Sequence, residues 1–199
     1  MKPFIFSTTK SIISEIGAIK RIADICSTLD ISKPLIITDQ GIVDIGLIQP
    51  LDAAFKKAGK EYFCFDQVVA DPPEHIVLSA VAYAKKIQAD GIIGFGGGSS
   101  LDTAKLVALL AKSDEKLSNI YGVDAIRGQR FPLILIPTTA GTGSEVTPIA
   151  IVTTGDTTKA GVVSATLLPD IALLDASLTL GLPSHVTAAT GIDAMVHAI

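Results

Sequence analysis

Short apolar runs alternate along the chain with longer segments in which apolar residues recur at helical spacing. The apolar runs predict buried strands at residues 34–38, 61–65, 91–95 and 131–137. The segments with helical spacing predict helices at residues 15–29, 48–58, 73–88 and 99–110. Because a parallel connection needs a crossover of about a dozen residues, this alternation predicts an α/β fold with an open parallel sheet and helices on both faces.

The pattern changes after residue 137. Three short strands follow without a helix between them, at residues 149–153, 160–164 and 171–174. Their spacing favours antiparallel pairing at an edge or flank of the sheet. The chain then becomes helical again, with Ser184 as the expected N-cap and no stop signal before Ile199. We therefore predict an α/β domain over residues 1–182 and the first helix of a truncated helical domain over residues 183–199.

Composition and charge narrow the class of protein. Hydrophobic residues make up 48% of the chain, charged residues 18%, and the formal net charge is -4. No apolar stretch approaches the ~18 residues of a membrane span. An acidic chain also lacks the basic field that attracts nucleic acid or anionic lipid. The start of the chain lacks the apolar core of a signal peptide, so we expect a cytoplasmic protein whose partner is a small molecule.

A glycine cluster joins the predicted strand at 91–95 to the following helix. It reads Gly96, Gly97, Gly98, Ser99, and we call residues 96–99 the glycine turn. Glycines let the main chain approach a diphosphate, and the free amides and dipole of a helix start attract the anion. The cluster is neither a G-x-G-x-x-G fingerprint nor a P-loop. A tight turn without any ligand is the alternative interpretation.

Asp39 stands directly after the strand at 34–38, where ligands of open α/β sheets bind. A carboxylate there can accept both ribose hydroxyls of NAD and would repel the extra phosphate of NADP. The alternative is an Asp in an ordinary strand-to-loop turn. In the usual dinucleotide fingerprint the glycines precede the acid, whereas here the acid comes first. If Asp39 and the glycine turn contact one cofactor, the nucleotide-binding arrangement differs from that of ordinary Rossmann domains.

A run of hydroxyl and glycine residues follows the strand at 131–137. It reads P-T-T-A-G-T-G-S-E over residues 137–145, which we call the hydroxyl loop. Its side chains offer donors to the phosphate, ribose or carboxamide of a cofactor. A solvated loop is the alternative.

The last predicted helix carries Asp193 and His197, four residues apart and therefore on one face. Carboxylate oxygen and imidazole nitrogen suit Fe(II), Zn(II) or Mn(II), but two ligands are too few for a site, and the alternative is a contact on the helix surface. The other polar residues weighed for chemistry or pairing are expected to be unremarkable. They are His75 and His185 at the surface, Asp102 and Lys105 as an exposed i, i+3 pair, and Cys26 and Cys64 as neutral thiols.

Taken in this order, the four features resemble the iron-containing, or group III, alcohol dehydrogenase family. The resemblance runs from Asp39 to the T-A-A-T-G-I-D-A-M-V-H segment at 187–197. It implies a Rossmann-like NAD-binding domain with the diphosphate on Gly97, Gly98 and Ser99 and the adenosine ribose on Asp39. Further cofactor contacts would fall on Thr138, Thr139, Thr147, Ile149, Lys159, Leu178 and Gly181. Metal ligation would fall on Asp193 and His197.

The resemblance also implies a mechanism. In this family a divalent ion, Fe(II) or Zn(II), holds the oxygen of a small primary alcohol and lowers its pKa so that hydride passes to NAD. Many members have Asn before a proline in contact with the cofactor. This chain has Asp71 there, which puts a second carboxylate near the adenine side. The family takes two further His ligands from a later helical domain, so we expect this chain to bind NAD and to oxidise no alcohol.

Two other interpretations stay open at this point. One is a glycerol-dehydrogenase-like or dehydroquinate-synthase-like relative, and the other is a nucleotide-binding module without catalysis. The identity of the alcohol or aldehyde is not encoded in any recognised motif. We expect a homodimer, because an apolar strand at residues 4–6 would pair readily across an edge. We also expect four apolar residues of the last helix to be exposed, namely Ile192, Met195, Val196 and Ile199.

Overall fold

The computed structural model describes residues 6–155 and 157–199. Its main sheet has six strands in the order β1-β9-β6-β4-β2-β3, and all neighbouring strands are parallel. The strands are β1 (Ser11–Ser14), β2 (Pro34–Asp39), β3 (Phe63–Val68), β4 (Gly91–Gly96), β6 (Leu133–Pro137) and β9 (Ile171–Leu174). The predicted open parallel sheet is therefore confirmed.

Helices cover both faces of this sheet, as predicted. The described helices are α1 (Ile22–Thr28), α2 (Gln40–Asp44), α3 (Gln49–Lys57), α4 (Glu74–Ile87), α5 (Gly98–Lys112) and α6 (Ser184–Ala198). Of these, α4 and α5 pack in one core, and α1 and α3 in the other. Alternate residues of the central strands enter two separate cores, because successive strand side chains point to opposite faces. In β2, Leu35 and Ile37 pack in the core that includes α4 and α5, whereas Ile36 packs in the core that includes α1 and α3.

A small second sheet flanks the first. Its order is β5-β8-β7, with β5 (Gly122–Val123), β7 (Ile149–Thr154) and β8 (Thr158–Val163). β7 and β8 pair antiparallel, as predicted for this part of the chain, and β5 pairs parallel with β8. An isolated bridge joins Pro73, before α4, to Thr153 of β7, so the flank also touches the segment that follows β3.

The prediction of antiparallel pairing is wrong for the strand at 171–174. β9 lies inside the parallel sheet, between β6 and β1. The crossover from β6 back to β9 is long enough for a parallel return, but the β7 and β8 hairpin supplies it in place of a helix. A rule that expects helices as crossovers therefore misplaces this strand.

The ends of the described chain also differ from the expectations. Residues 11–14 form strand β1, and the predicted helix at 15–29 begins later, with a 3-10 turn at Ala18–Arg21 before α1. The predicted strand at residues 4–6 lies outside the described residues except for Phe6, which is exposed. α6 begins at Ser184 with Pro183 in the N-cap position, one residue from the expectation. None of the helices that the structure describes is long and apolar enough to cross a bilayer.

Candidate functional site

Three of the features singled out in the sequence meet at one edge of the main sheet. Asp39, Gly96 and Pro137 are the last residues of β2, β4 and β6, which are neighbours in the sheet. The chain leaves β2 for β3 on one side and then returns to β4 on the other side. Such a switch point opens a crevice at the carboxyl ends of the strands, where α/β proteins bind ligands.

The glycine turn forms the start of α5. Gly97 is in the N-cap position, and no side chain of the described residues caps the first amides of this helix. A Cβ added at Gly97 would meet nothing nearer than Thr139 Oγ1 at 3.7 Å, whereas one added at Gly98 would lie 3.0 Å from Thr142 Cγ2. The turn is therefore open above Gly97 and closed beside Gly98 by the hydroxyl loop. An open turn with uncapped helix amides is a suitable place for an anion.

Thr138 lies at the start of the hydroxyl loop, next to the glycine turn. Its amide donates to Gly96 O at 3.0 Å, which fixes the loop to the end of β4. The side chain is 0% exposed, and its hydroxyl has no hydrogen-bond partner among the described residues. A buried hydroxyl without a partner costs about 1–3 kcal/mol. Together with the open space above Gly97, this hydroxyl fits a site completed by a polar ligand.

The Asp39 carboxylate stands beside the same turn. Oδ1 accepts a hydrogen bond from Ile42 N at 3.1 Å and so caps α2. Oδ2 lies 3.4 Å from Ser100 Oγ, a long contact that leaves this oxygen able to accept a further donor. The turn-capping interpretation and the ligand-binding interpretation of Asp39 are thus compatible, because they use different oxygens.

Asp71 and Lys159 form an ion pair at the outer side of the site. Lys159 Nζ lies 2.6 Å from Asp71 Oδ1, with both side chains more than half exposed. Asp71 has a left-handed backbone, φ 49°, which Asp and Asn tolerate better than most residues. Its carbonyl accepts from Thr153 Oγ1 at 2.9 Å, which ties this loop to β7. Two residues carried over from the resemblance are therefore in direct contact.

The expectation of an exposed Asp102 and Lys105 pair is wrong. The Lys105 side chain is 0% exposed, and Nζ donates to Ser144 Oγ at 2.9 Å and to Ile149 O at 2.6 Å, with Asp102 Oδ1 at 3.3 Å. Burial lowers the pKa of Lys105, against the opposing effect of Asp102 and Glu145. The missed signal is the composition of α5, which is apolar nearly all round and therefore buried on every side.

The remaining candidate cofactor residues are spread around this centre. Thr139 and Ser99 are half-buried beside the glycine turn, Thr147 is half-buried after the hydroxyl loop, and Ile149 is partly exposed at the start of β7. Leu178 is 2% exposed in the core on the α1 and α3 face, and Gly181 is exposed, with no atom within 4 Å of an added Cβ. The bonds that join the turn, the loop and Asp39 do not include these last two residues.

α6 passes directly against the hydroxyl loop. A Cβ at Gly141 would lie 2.5 Å from Thr190 O, so only glycine allows this approach. Asp193 follows Thr190 by three residues and therefore lies on the same side of the helix. Within residues 6–155 and 157–199 no group of three or more His, Cys, Asp or Glu residues could hold a metal ion, and the His197 side chain is not described. The two candidate ligands fit a divalent ion by donor type but are too few.

The other expectations about reactive side chains are confirmed. His75 and His185 are exposed. Burial raises the pKa of Cys26 to about 12 and that of Cys64 to about 11, so both thiols are neutral near pH 7. Four apolar residues of α6 are exposed as expected, namely Ile192, Met195, Val196 and Ile199.

Comparison with known proteins matches residues 9–176 to the model of a family described as iron-containing alcohol dehydrogenase. A sulfoacetaldehyde reductase of Bilophila wadsworthia is 41% identical over 197 residues, covering 98% of this chain and 51% of that protein. A solved 1,3-propanediol oxidoreductase has a TM-score of 0.94 at 31% identity, covering 99% of this chain and 52% of its own. A sulfoacetaldehyde reductase of Bifidobacterium kashiwanohense in complex with NAD+ has a TM-score of 0.88 at 27% identity, covering 97% and 51%. The chain thus spans about half the length of these relatives.

Proposed function

The chain belongs to the iron-containing alcohol dehydrogenase family, and from this premise we propose that it forms the NAD-binding part of an enzyme that interconverts a small primary alcohol and its aldehyde. The family relationship supports an oxidoreductase that acts on an alcohol or aldehyde. The NAD+ in the structure of one relative supports the choice of cofactor. The carboxyl edge of the main sheet is the part of this chain suited to hold it.

The observation that carries the proposal is the incomplete polar site around the glycine turn. Gly97 leaves open space above uncapped helix amides, and the buried Thr138 hydroxyl beside it has no partner among the described residues. We assign the diphosphate of NAD to Gly97, Gly98 and Ser99, and the adenosine ribose to Oδ2 of Asp39, whose contact with Ser100 Oγ is long. The segments around the hydroxyl loop and the flank then remain for the other half of the dinucleotide. Their candidate contacts are Thr138, Thr139, Thr147, Ile149, Lys159, Leu178 and Gly181, whereas Asp71 is assigned to the adenine side.

In this proposal the chain's own residues bind and orient the cofactor. Main-chain amides of the turn neutralise the diphosphate, and hydroxyl donors fix the nicotinamide ring so that one face meets the substrate. Asp193 and His197 would hold a divalent ion, Fe(II) or Zn(II), at the helix that touches the hydroxyl loop. When bound, such an ion polarises the alcohol oxygen as a Lewis acid. Two protein ligands hold an ion weakly, so we expect these 199 residues alone to bind NAD without oxidising an alcohol.

Calorimetric titration of the purified protein with NAD and with NADP tests the proposal. We expect NAD to bind more tightly, because the Asp39 carboxylate repels the additional phosphate of NADP. Asp39→Asn keeps an oxygen that can cap α2 and removes the charge, so it should reduce the preference for NAD. Asp44→Asn removes the same charge at the end of α2 and serves as the matched control, with the preference unchanged.

The outcomes separate the two parts of the proposal. Failure of the unmodified protein to bind either dinucleotide would contradict the proposed function. Equal affinity for NAD and NADP would contradict only the role of Asp39. The relatives named for sulfoacetaldehyde and for 1,3-propanediol leave a small alcohol or aldehyde as the substrate class. The domain boundary at residue 182, the homodimer and the cytoplasmic location stay predictions.

A further inference from the structure

Lys105 is a buried cation whose bonds join three parts of the structure. It lies on α5 and donates to Ser144 Oγ in the hydroxyl loop and to Ile149 O at the start of β7. Its third close neighbour is Asp102 Oδ1, on its own helix. A fully buried ammonium is costly unless it is paired and hydrogen-bonded, so these bonds hold the three segments together strongly.

Asp102 makes the same connections with the opposite charge. Oδ1 accepts a short hydrogen bond from Ser144 Oγ, and Oδ2 accepts the amide of Ile151 in β7 at 2.9 Å. The Ser144 hydroxyl therefore donates to the anion and accepts from the cation. Apart from the contact between Lys105 and Asp102 within α5, every bond of this set runs between α5 and either the hydroxyl loop or β7.

The segments held in this way are the walls of the proposed cofactor cleft. α5 begins with the glycine turn, and the hydroxyl loop covers Gly98 through Thr142. β7 pairs with β8, which carries Lys159, and the Thr153 amide of β7 donates to Pro72 O at 2.9 Å. The position of α5 relative to Ser144 and β7 thus decides where the wall residues stand relative to the turn.

From this we infer that Asp102, Lys105 and Ser144 are positioning residues, which set the distance between the glycine turn and the segments that receive the second half of the dinucleotide. We call the three the positioning cluster. The inference rests on the proposed function. Apolar contacts would allow the loop to slide over α5, whereas a charged, buried hydrogen-bond set has a single satisfied arrangement.

The test compares ligands that use one wall or both. AMP reaches only the Asp39 side and the turn, whereas NAD must reach the hydroxyl loop as well. Ser144→Ala removes one hydroxyl and leaves the two charges paired, and Lys105→Met removes the cation. We expect each variant to weaken NAD binding about 10-fold, the factor that corresponds to one lost charge-assisted bond. The affinity for AMP should change by less than about 2-fold, a difference of under about 0.4 kcal/mol.

Thr103→Val is the matched control. Thr103 lies on α5 between the two charged residues, is 0% exposed, and its hydroxyl has no partner among the residues described. Its replacement should leave the affinity for NAD unchanged. As a second readout, hydrogen exchange of the amides at 139–147 should become faster in Ser144→Ala and stay unchanged in Thr103→Val.

Three results would overturn the inference. One is unchanged NAD affinity in Ser144→Ala, and another is an equal loss of NAD and AMP affinity, which a general loss of stability would cause. The third is unchanged amide exchange at 139–147 in Ser144→Ala. If Lys105→Met does not fold, Ser144→Ala alone decides. Failure of the unmodified protein to bind NAD would contradict the proposed function instead.

Discussion

Polar residues lie at both ends of the strands of the six-stranded sheet, at the amino-terminal ends (the amino edge) and at the carboxyl-terminal ends (the carboxyl edge), but their hydrogen bonding differs. At the amino edge, Arg130 donates to Thr166 O, Phe131 O, Leu168 O and the Asp170 carboxylate. Asp170 also accepts from Lys10 and from Leu133 N. At the carboxyl edge, the Thr138 hydroxyl has no partner within the described part of the chain, and the space above Gly97 is open.

The proposed site therefore rests on hydrogen-bonding groups that lack partners beside an open turn, and not on the size of a cavity. A cavity of about 510 Å³ lies at the amino edge and is lined in part by Lys10, Arg130 and Asp170. The charged groups there already satisfy one another, so they stabilise the fold and leave little for a ligand. At the carboxyl edge, the buried Thr138 hydroxyl lacks a partner among the described residues, and the free energy of completing its hydrogen bond is available to a ligand.

Removing the Arg130 and Asp170 ion pair at the amino edge should have the largest effect, and it should lower the stability of the fold without changing NAD binding. In Arg130→Met the Asp170 carboxylate loses its main partner, and since both side chains are 11% exposed we expect a loss of about 3 kcal/mol in the free energy of unfolding. Urea denaturation measures it. Arg127→Met, on an exposed residue nearby, should cost less than about 0.5 kcal/mol. Loss of NAD binding in folded Arg130→Met would contradict the division between the edges.

Filling the open turn at the carboxyl edge should weaken NAD binding and leave the free energy of unfolding unchanged. In Gly97→Ala the new methyl group meets only Thr139 at 3.7 Å, an ordinary contact, but it occupies the place assigned to the diphosphate. We expect about 1–3 kcal/mol of lost binding, or about 10- to 100-fold in the affinity for NAD, with unfolding unchanged. Gly191→Ala, where nothing lies within 4 Å, is the control. Normal NAD affinity in Gly97→Ala would show that the diphosphate lies elsewhere.

Acid should weaken the amino edge through Asp170. Burial raises the pKa of this carboxyl, but the bonds from Arg130, Lys10 and Leu133 N outweigh it and hold the pKa at about 2, below its ordinary 3.8. Because the folded pKa is depressed, the stabilisation is present above pH 3.8 and is lost as the pH falls towards 2. It amounts to about 2 kcal/mol. Denaturation between pH 5 and 2 should show a flatter profile in Asp170→Asn than in the control Asp114→Asn; identical profiles would contradict this role.

The smallest expected effect concerns the Asp71 and Lys159 pair at the rim of the carboxyl edge. Asp71→Asn keeps a residue that tolerates the left-handed backbone, removes a negative charge and releases the Lys159 ammonium. We expect NAD to bind more tightly, because the variant lacks a negative charge and its Lys159 ammonium is released to attract the anionic cofactor. The gain should be only about 3-fold, because water and salt screen charges that are this exposed. Asp124→Asn, at another left-handed Asp with φ 52°, is the control for backbone effects. Weaker NAD binding in Asp71→Asn would mean that Asp71 holds Lys159 in a useful position.

Most of the main sheet and the centre of the candidate site could be predicted from the sequence. β2, β4 and β6 are continuous apolar runs that end in Asp39, in the glycine turn and in the hydroxyl loop, and such runs are typical of strands buried on both faces. Because parallel strands bring their carboxyl ends to one edge, the three features had to meet. Local sequence carried this information, since hydrophobic period and glycine placement act over a few residues.

The tertiary structure alone decided which polar groups found partners. Whether Lys105 is exposed depends on β7 and the hydroxyl loop, and its partners Ser144 and Ile149 lie 39 and 44 residues away. The Asp71 and Lys159 pair spans 88 residues, and β9 enters the sheet beside β1 from the far end of the domain. Spacing along a helix or strand states which face a residue shares with its near neighbours. It does not state what packs against that face, because the partner's position follows from the folding of the whole chain.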